Sequence, residues 1–393
     1  MKSILENKAF LFLICLLLGI LTSFSLPPYN LFFINFLTLP VLLYILVNYV
    51  NKKTISFFVG WVFGFGYFIS NLYWITNSLT FDVNFKFIIP FALILIPLFL
   101  GLFYGLVTFL CNFFNLKNKI SSILIFSILF GGIEFLRGFI FGGFPWNLVV
   151  FSLSNNLHFL QILSYIGTYS LNLLSITIFL LPVIFIFKYK SLTKFLIFSV
   201  GLILVVINFL HGNLIINNFE KKKHDKLSSI IRVVSPNIPI ERFLTNQDIE
   251  RNINELISLS DPNNNKKTIF VYPEGIITSI YLKDLKLFKN IFRENYNVNH
   301  KVILGINSIN KNKIYNSLIV LNKDAELLYK YNKNKLVPFG EFLPFENLLK
   351  KIGLKKITQG YQSFSADDKR EILEINQLKF IPLICYEIIY SGK

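Results

Sequence analysis

Charge is scarce in this chain. Of its 393 residues only 16% are Asp, Glu, Lys or Arg, against 53% hydrophobic and 17% aromatic. A soluble domain carries about 25% charge, so a wholly soluble fold is set aside at once. Acids are scarcest at the front, where the first 211 residues hold three, Glu6, Asp82 and Glu134. Cysteine is nearly absent. Two of the three, Cys15 and Cys111, lie in long apolar segments, which leaves no disulfide framework. Cys15 also follows Ile14, where a lipid-attachment site would need a small residue. His158, His211, His224 and His300 have no metal-ligand spacing among themselves or with cysteine. No metal site and no cofactor are therefore expected.

What is abundant is unevenly placed. Residues 1–211 hold nearly all the long apolar runs, and 212–393 have the composition of an ordinary soluble domain. The net charge of +17 splits almost evenly, +8 and +9, between the two parts. No basic motif or aromatic stacking module accompanies it, so nucleic acid is not an expected partner. Contact with anionic lipid fits better.

A hydrocarbon core about 30 Å thick takes about 20 apolar residues per helix. Seven runs qualify, at about 8–26, 31–50, 55–79, 87–114, 120–142, 164–187 and 194–211. The stretch 144–163 is greasy but interrupted by Pro145, Asn147, Asn155, Asn156 and Gln161, and reads as an interfacial loop. Lysines occupy alternate loops: Lys2 and Lys8, then Lys52 and Lys53, Lys117 and Lys119, and Lys188, Lys190 and Lys194. Basic loops stay in the cytoplasm. The pattern predicts a cytoplasmic N-terminus and, after seven crossings, an extracytoplasmic domain at 212–393. The first run has no small-residue cleavage site and six runs follow it, so it is not read as a signal peptide.

Glu134 and Arg137 lie inside the fifth run, three apart on one helical face. They form either a buried structural ion pair or a contact with a lipid head group, since charges at membrane depth face the bundle interior or a cavity. Gly131, Gly132, Gly142 and Gly143 nearby permit close approach of a neighbouring helix or a lipid chain.

From Ile230 onward, short strand-like runs alternate with helical spacing. "IIRVVSPNI", "KTIFVYPEGII", "NHKVILGINSI", "NSLIVLNKDAELLYKYNK" and "KFIPLICYEII" read as strands, with "NKDAE" as a hairpin turn. "NQDIERNINELISL" and "LKDLKLFKNIFREN" read as helices. Near-continuous apolar strands indicate a sheet buried on both faces, hence an α/β layered domain.

Three polar residues punctuate these strands: Glu274, Lys333 and Cys385. Singly they are unremarkable as a cap, a solvated lysine and a small core residue. Together they fit one chemistry. A cysteine nucleophile needs a base to become thiolate, Glu274 supplies a carboxylate, and Lys333 supplies a cation for the oxyanion of an attacked carbonyl.

These segments resemble the nitrilase, or carbon–nitrogen hydrolase, superfamily, in which "VYPEG", "YNKNKLVPFGE" and "LICYE" match the glutamate, lysine and cysteine motifs. Lys333 rather than Lys335 takes the lysine position, because it precedes the Asn334-Lys335-Leu336 element. "YWITNSL", "EFLRG", "GFPWN", "SPNIP" and "LVPFGEFLP" resemble the apolipoprotein N-acyltransferases of the bacterial inner membrane, and the likeness runs from about residue 10 to residue 393.

The resemblance implies a multi-pass α-helical membrane domain (1–211) followed by a periplasmic αββα sandwich (212–393). It implies a monomer in the bilayer that takes an acyl chain from a phospholipid onto Cys385 as a thioester. The chain then passes to the α-amino group of a diacylglyceryl-cysteine on an apolipoprotein. Glu274 would be the base and Lys333 the oxyanion stabiliser, with Glu341, Tyr386 and Glu387 in support. Phe243 stands near where the family has a substrate-contacting tryptophan. The family continues past residue 393 into the rest of the fold and a last span, so the resemblance implies a catalytic domain incomplete at its C-terminus. Two other readings share some of these features: a membrane-anchored amidase of nitrilase type, and a transporter with an exported binding domain. The second needs polar residues along several spans, which this chain lacks.

Overall fold

The computed structural model describes residues 7–80, 83–222, 228–238, 244–343 and 363–390. The chain divides into two compact units that part at residue 223. Phe243, the expected substrate contact, and His224 lie outside the described residues.

The first unit is helical. It contains α1 (Lys8–Ser23), α2 (Asn35–Tyr49), α3 (Lys53–Leu72), α4 (Ile89–Cys111) and α5 (Ser121–Arg137). The short α6 (Leu157–Leu160), α7 (Leu163–Leu180) and α8 (Ser191–Lys221) follow. A helix stands at each of the seven expected segments. Among the described residues five stretches are long and apolar enough to cross a membrane: Phe32–Tyr49, Lys53–Thr80, Phe85–Cys111, Leu163–Ile186 and Ser191–Lys221. The remaining two are shorter than the sequence led us to expect. α1 and α5 have 16 and 17 residues, about 24–26 Å at the α-helical rise. The 144–163 stretch forms a 3-10 turn at Val149–Leu153 and α6 rather than a span.

The side chains that meet fix the helix directions. Phe12 meets Phe58 and Gly19 meets Phe63 and Tyr67, so α1 and α3 run parallel. Ser56 meets Thr108 while Gly64 meets Gly101, so α3 and α4 are antiparallel. α5 is antiparallel to α4, through Tyr104 with Glu134 and Phe99 with Phe141. It is also antiparallel to α7, through Gly131 with Leu173 and Gly138 with Tyr169. Phe185 against Phe198 and Leu181 against Gly201 turn α8 back along the segment after α7. Lys8, Lys53, Lys117 and Lys194 therefore gather at one end of the bundle, and α8 finishes at the other. Two glycines set the spacing. A Cβ at Gly19 would lie 2.0 Å from the Phe63 carbonyl oxygen, and one at Gly60 would lie 2.2 Å from that of Tyr104. Any larger residue would force these helices apart.

The second unit is a mixed α/β fold. β1 (Ile230–Val233), β2 (Thr268–Val271) and β4 (His300–Asn310) are parallel, and β4, β5 (Lys313–Leu321) and β6 (Leu327–Asn332) are antiparallel. The sheet order is β1-β2-β4-β5-β6, with β3 (Ile277–Tyr281) pairing with β4. The β5–β6 turn falls on "NKDAE" as expected, closed by Asn322 and Glu326. Alternate residues of the strands pack opposite faces. Phe270, Val302, Leu304, Ile319 and Leu321 meet α9 (Asn246–Ser260) and α10 (Lys289–Asn295), through residues such as Ile253 and Phe292. Ile269, Ile303 and Val320 meet the hairpin of β7 (Leu373–Ile375) and β8 (Leu378–Phe380). The sheet is thus covered on both sides, as its apolar strands require.

One expected strand is not a strand. "KFIPLICYEII" contributes only its first residues to β8, and Cys385–Ile389 forms a 3-10 turn. Pro382 has no N–H to give a ladder. Cys385 sits at φ 52°, a left-handed conformation that no strand contains.

Candidate active site

Four strands contribute to one cluster of side chains, β2 and β6 through the residues that follow them and β4 and β5 from within. β2 leads through Tyr272, whose N–H donates to the Ile303 carbonyl at 2.9 Å, into Pro273 and Glu274. Gly275 follows at φ 82° and turns the chain. A Cβ at Gly305 of β4 would lie 3.1 Å from the Glu274 Cα, so that glycine lets the carboxylate-bearing backbone settle onto the sheet. Lys333 follows β6 directly, and its N–H donates to the carbonyl of Asn316 on β5 at 2.9 Å.

The Lys333 ammonium is 1% exposed and donates to Glu341 Oε1 at 2.8 Å. A buried lysine without an anion would be strongly destabilised, and Glu341 is that anion. Glu341 is itself held by its own loop. Its other oxygen accepts from the Val337 N–H at 2.8 Å, and its N–H donates to the Val337 carbonyl at 2.9 Å.

Sequence reasoning missed Asn316. Its Nδ2 donates to Glu274 Oε1 at 2.6 Å and to Glu341 Oε1 at 3.2 Å. One amide therefore bridges the carboxylate expected to act as base and the one that holds the lysine. The only sequence signal was a polar residue at a buried position of an otherwise apolar strand.

Cys385 is exposed, whereas Cys15 and Cys111 are buried. Packing around the Cys385 thiol pushes it above the usual cysteine range, and the Glu274 carboxylate pushes it further. The Lys333 ammonium pulls the other way and does not prevail. Cys385 thus lies within electrostatic reach of both Glu274 and Lys333. The thiol stays protonated at neutral pH, so its use as a nucleophile calls for a base rather than a standing thiolate.

Glu387 does different work. It is fully buried, and its carboxylate accepts from the N–H groups of Asn334 (2.7 Å), Lys335 (3.0 Å) and Ile384 (2.9 Å) and from the Tyr331 hydroxyl (2.9 Å). The Arg370 guanidinium lies 3.7 Å away. Glu387 thereby ties the turn carrying Cys385 to the segment carrying Lys333. Partial burial, and to a lesser degree the same carboxylate, raise the Tyr331 phenol to about 12. Tyr386 is half-buried, its ring edge-on to Tyr390 at 5.3 Å.

Glu134 and Arg137 belong to the helical unit and have no part in this cluster. Both are completely buried, 3.5 Å apart. Glu134 accepts from Tyr104 (2.8 Å) and Asn172 (2.6 Å), and Arg137 donates to the carbonyls of Phe144 (3.0 Å) and Trp146 (2.8 Å). Those partners make the pair a cross-link between α4, α5, α7 and the "GFPWN" loop. Among the described residues, no group of His, Cys, Asp and Glu is placed to hold a metal ion.

Residues 18–181 match the family model for the apolipoprotein N-acyltransferase N-terminal domain, and residues 268–392 match that for carbon–nitrogen hydrolase. A relative from Rickettsia prowazekii, named apolipoprotein N-acyltransferase, is 33% identical over 97% of this chain and 75% of its own length. One of the same name from Rhizobium rhizogenes is 27% identical over 97% of this chain and 75% of its own. A third, from Brucella melitensis, is 26% identical over 95% and 73%.

Proposed function

The chain belongs to the apolipoprotein N-acyltransferase family, integral membrane acyltransferases of lipoprotein maturation, and from that premise we propose a two-step acyl transfer through Cys385. In the first step Glu274 takes the thiol proton as sulfur attacks the ester carbonyl of a phospholipid. Lys333, held in place by Glu341, stabilises the oxyanion. Collapse breaks the ester bond, the leaving lysophospholipid oxygen recovers the proton from Glu274, and the acyl chain stays on sulfur as a thioester. In the second step the α-amino group of a diacylglyceryl-cysteine attacks the thioester. The C–S bond breaks as the amide forms, and Glu274 takes the amine proton and returns it to the departing thiolate, so the thiol is regenerated.

The observation that carries this reading is the Lys333–Glu341–Asn316–Glu274 chain of contacts, with the Cys385 thiol under the influence of both Glu274 and Lys333. The helix directions support a cytoplasmic basic end and a periplasmic second unit. Under this reading α1 and α5 also cross the membrane, aided by local thinning or flanking lysines.

The test is labelling in proteoliposomes with a phospholipid carrying a fluorescent acyl chain. A hydroxylamine-sensitive adduct is expected, absent in Cys385→Ser. A diacylated lipopeptide should chase the label into an amide. An adduct persisting in Cys385→Ser would remove this nucleophile, and release of free fatty acid in place of the amide would make the protein a hydrolase.

A further inference from the structure

The basic end of the helical unit contains a cavity that acyl transfer does not use. It has a volume of about 270 Å³, where the last turn of α2, the first turn of α3 and the last turn of α4 converge. Leu46 and Val50 give it an apolar wall, and Asn51, Asn112, Asn115 and Lys117 give it a polar one. Its floor is fixed: Ser56 Oγ donates to the Thr108 carbonyl at 2.5 Å, and Thr108 Oγ1 donates to that of Ser56 at 2.7 Å.

Lys117 lines this cavity, other lysines lie close to it in sequence, and among the described residues no carboxylate pairs with them. Lys52 and Lys53 follow Asn51 directly, and Lys119 lies two residues past Lys117. The Lys53 ammonium rests over the Phe113 ring, 3.7 Å from its centre, so it stays at this end of the bundle. Lys52, Lys117 and Lys119 have no ion-pair partner among the described residues. In the described part of this unit the only carboxylates are Glu134, paired with Arg137, and Glu220, at the far end of α8. α3 begins with no side-chain cap and no acid in its first turn, so nothing there offsets the positive end of its dipole. The side-chain amides of Asn51, Asn112 and Asn115 also make no hydrogen bond among the described residues.

We propose that this cavity binds the phosphate of an anionic phospholipid head group, at a site separate from the acyl donor's. A lipid fits better than free phosphate because half the lining is apolar and the adjoining Phe113 and Phe114 are 56% and 49% exposed. Basic pockets between membrane helices take anionic head groups in this way.

The test is native mass spectrometry of the protein from nanodiscs holding equal phosphatidylglycerol and phosphatidylethanolamine. Retained phosphatidylglycerol should be enriched about fivefold or more, the selectivity about one well-placed lysine confers. Lys117→Gln and Asn115→Asp, both exposed changes, should erase the enrichment, whereas Lys86→Gln at the opposite end should not. Equal retention of the two lipids, or enrichment that survives both changes, overturns the proposal. So does protection from thermal unfolding by inorganic phosphate that matches protection by phosphatidylglycerol vesicles, since the site would then take the free anion.

Discussion

Asn316 donates to Glu274 at 2.6 Å from the middle of a strand, so the orientation of the candidate base is set by the sheet and not by a loop. The same nitrogen reaches Glu341, which holds Lys333. Asn316→Ala removes both bonds. A hydrogen bond to a charged group contributes about 1.5–3 kcal/mol, so acyl-enzyme formation should slow by roughly 10- to 100-fold. Asn316→Asp should slow it further, because a third carboxylate would crowd the other two. Stopped-flow acylation with a fluorescent phospholipid measures both. Wild-type rates in either variant would remove Asn316 from the site.

The thiol gives a prediction with a definite sign. A neighbouring negative charge disfavours thiolate, and a positive one favours it. The Cys385 thiol, raised by packing and then by Glu274, should react with iodoacetamide along a pH profile displaced upward from that of a free cysteine. Glu274→Gln removes a cause of the rise and should shift the profile down. Lys333→Met removes the opposing cation and should shift it up. Cys15 and Cys111 are 0% and 1% exposed, so labelling in the folded protein reports Cys385. Shifts of the opposite sign would show that the electrostatic partners have been misassigned.

Much of this was readable in the chain, for physical reasons. Lys333 and Glu341 are eight residues apart and joined by one loop, so a local motif brings them together. The strands were legible because burial on both faces leaves apolar runs that little else in a soluble unit produces. Asn316 was not legible. Its relation to Glu274 spans 42 residues and depends on the register of β5 against β4, which pairs it with Asn307. The turn at Cys385 was misread as strand because "IPLIC" is apolar enough for one. Glu387 anchors that turn to Asn334 and Lys335, contacts 53 and 52 residues away in sequence.

Glu387 should therefore act through position. Glu387→Ala strands the buried N–H of Ile384, at about 1–3 kcal/mol, and the part-buried ones of Asn334 and Lys335, and should lower the unfolding temperature as well as Cys385 reactivity. Tyr331→Phe removes one hydroxyl donor and should cost only about 1 kcal/mol. A structural role confined to stability would leave the pH profile of Cys385 alkylation unchanged in Tyr331→Phe. A positioning role predicts a displaced profile there, even when the protein remains folded.

The Glu134–Arg137 pair yields the last prediction. Removing one member of a buried ion pair leaves the other uncompensated, at about 3–5 kcal/mol. Arg137→Met should therefore destabilise the helical unit strongly and release the Phe144 and Trp146 carbonyls, freeing the "GFPWN" loop. Glu134→Gln is expected to be milder, because the amide oxygen can still accept from Tyr104 or Asn172. The double change Glu134→Gln with Arg137→Met should recover part of the loss, since no charge is then left buried alone. Thermal unfolding in detergent measures all three, and proteolysis within residues 143–153 measures the loop. If the pair instead served a lipid head group, Arg137→Met would leave the unfolding temperature unchanged and weaken only lipid retention. Complete burial of both side chains predicts the first pattern.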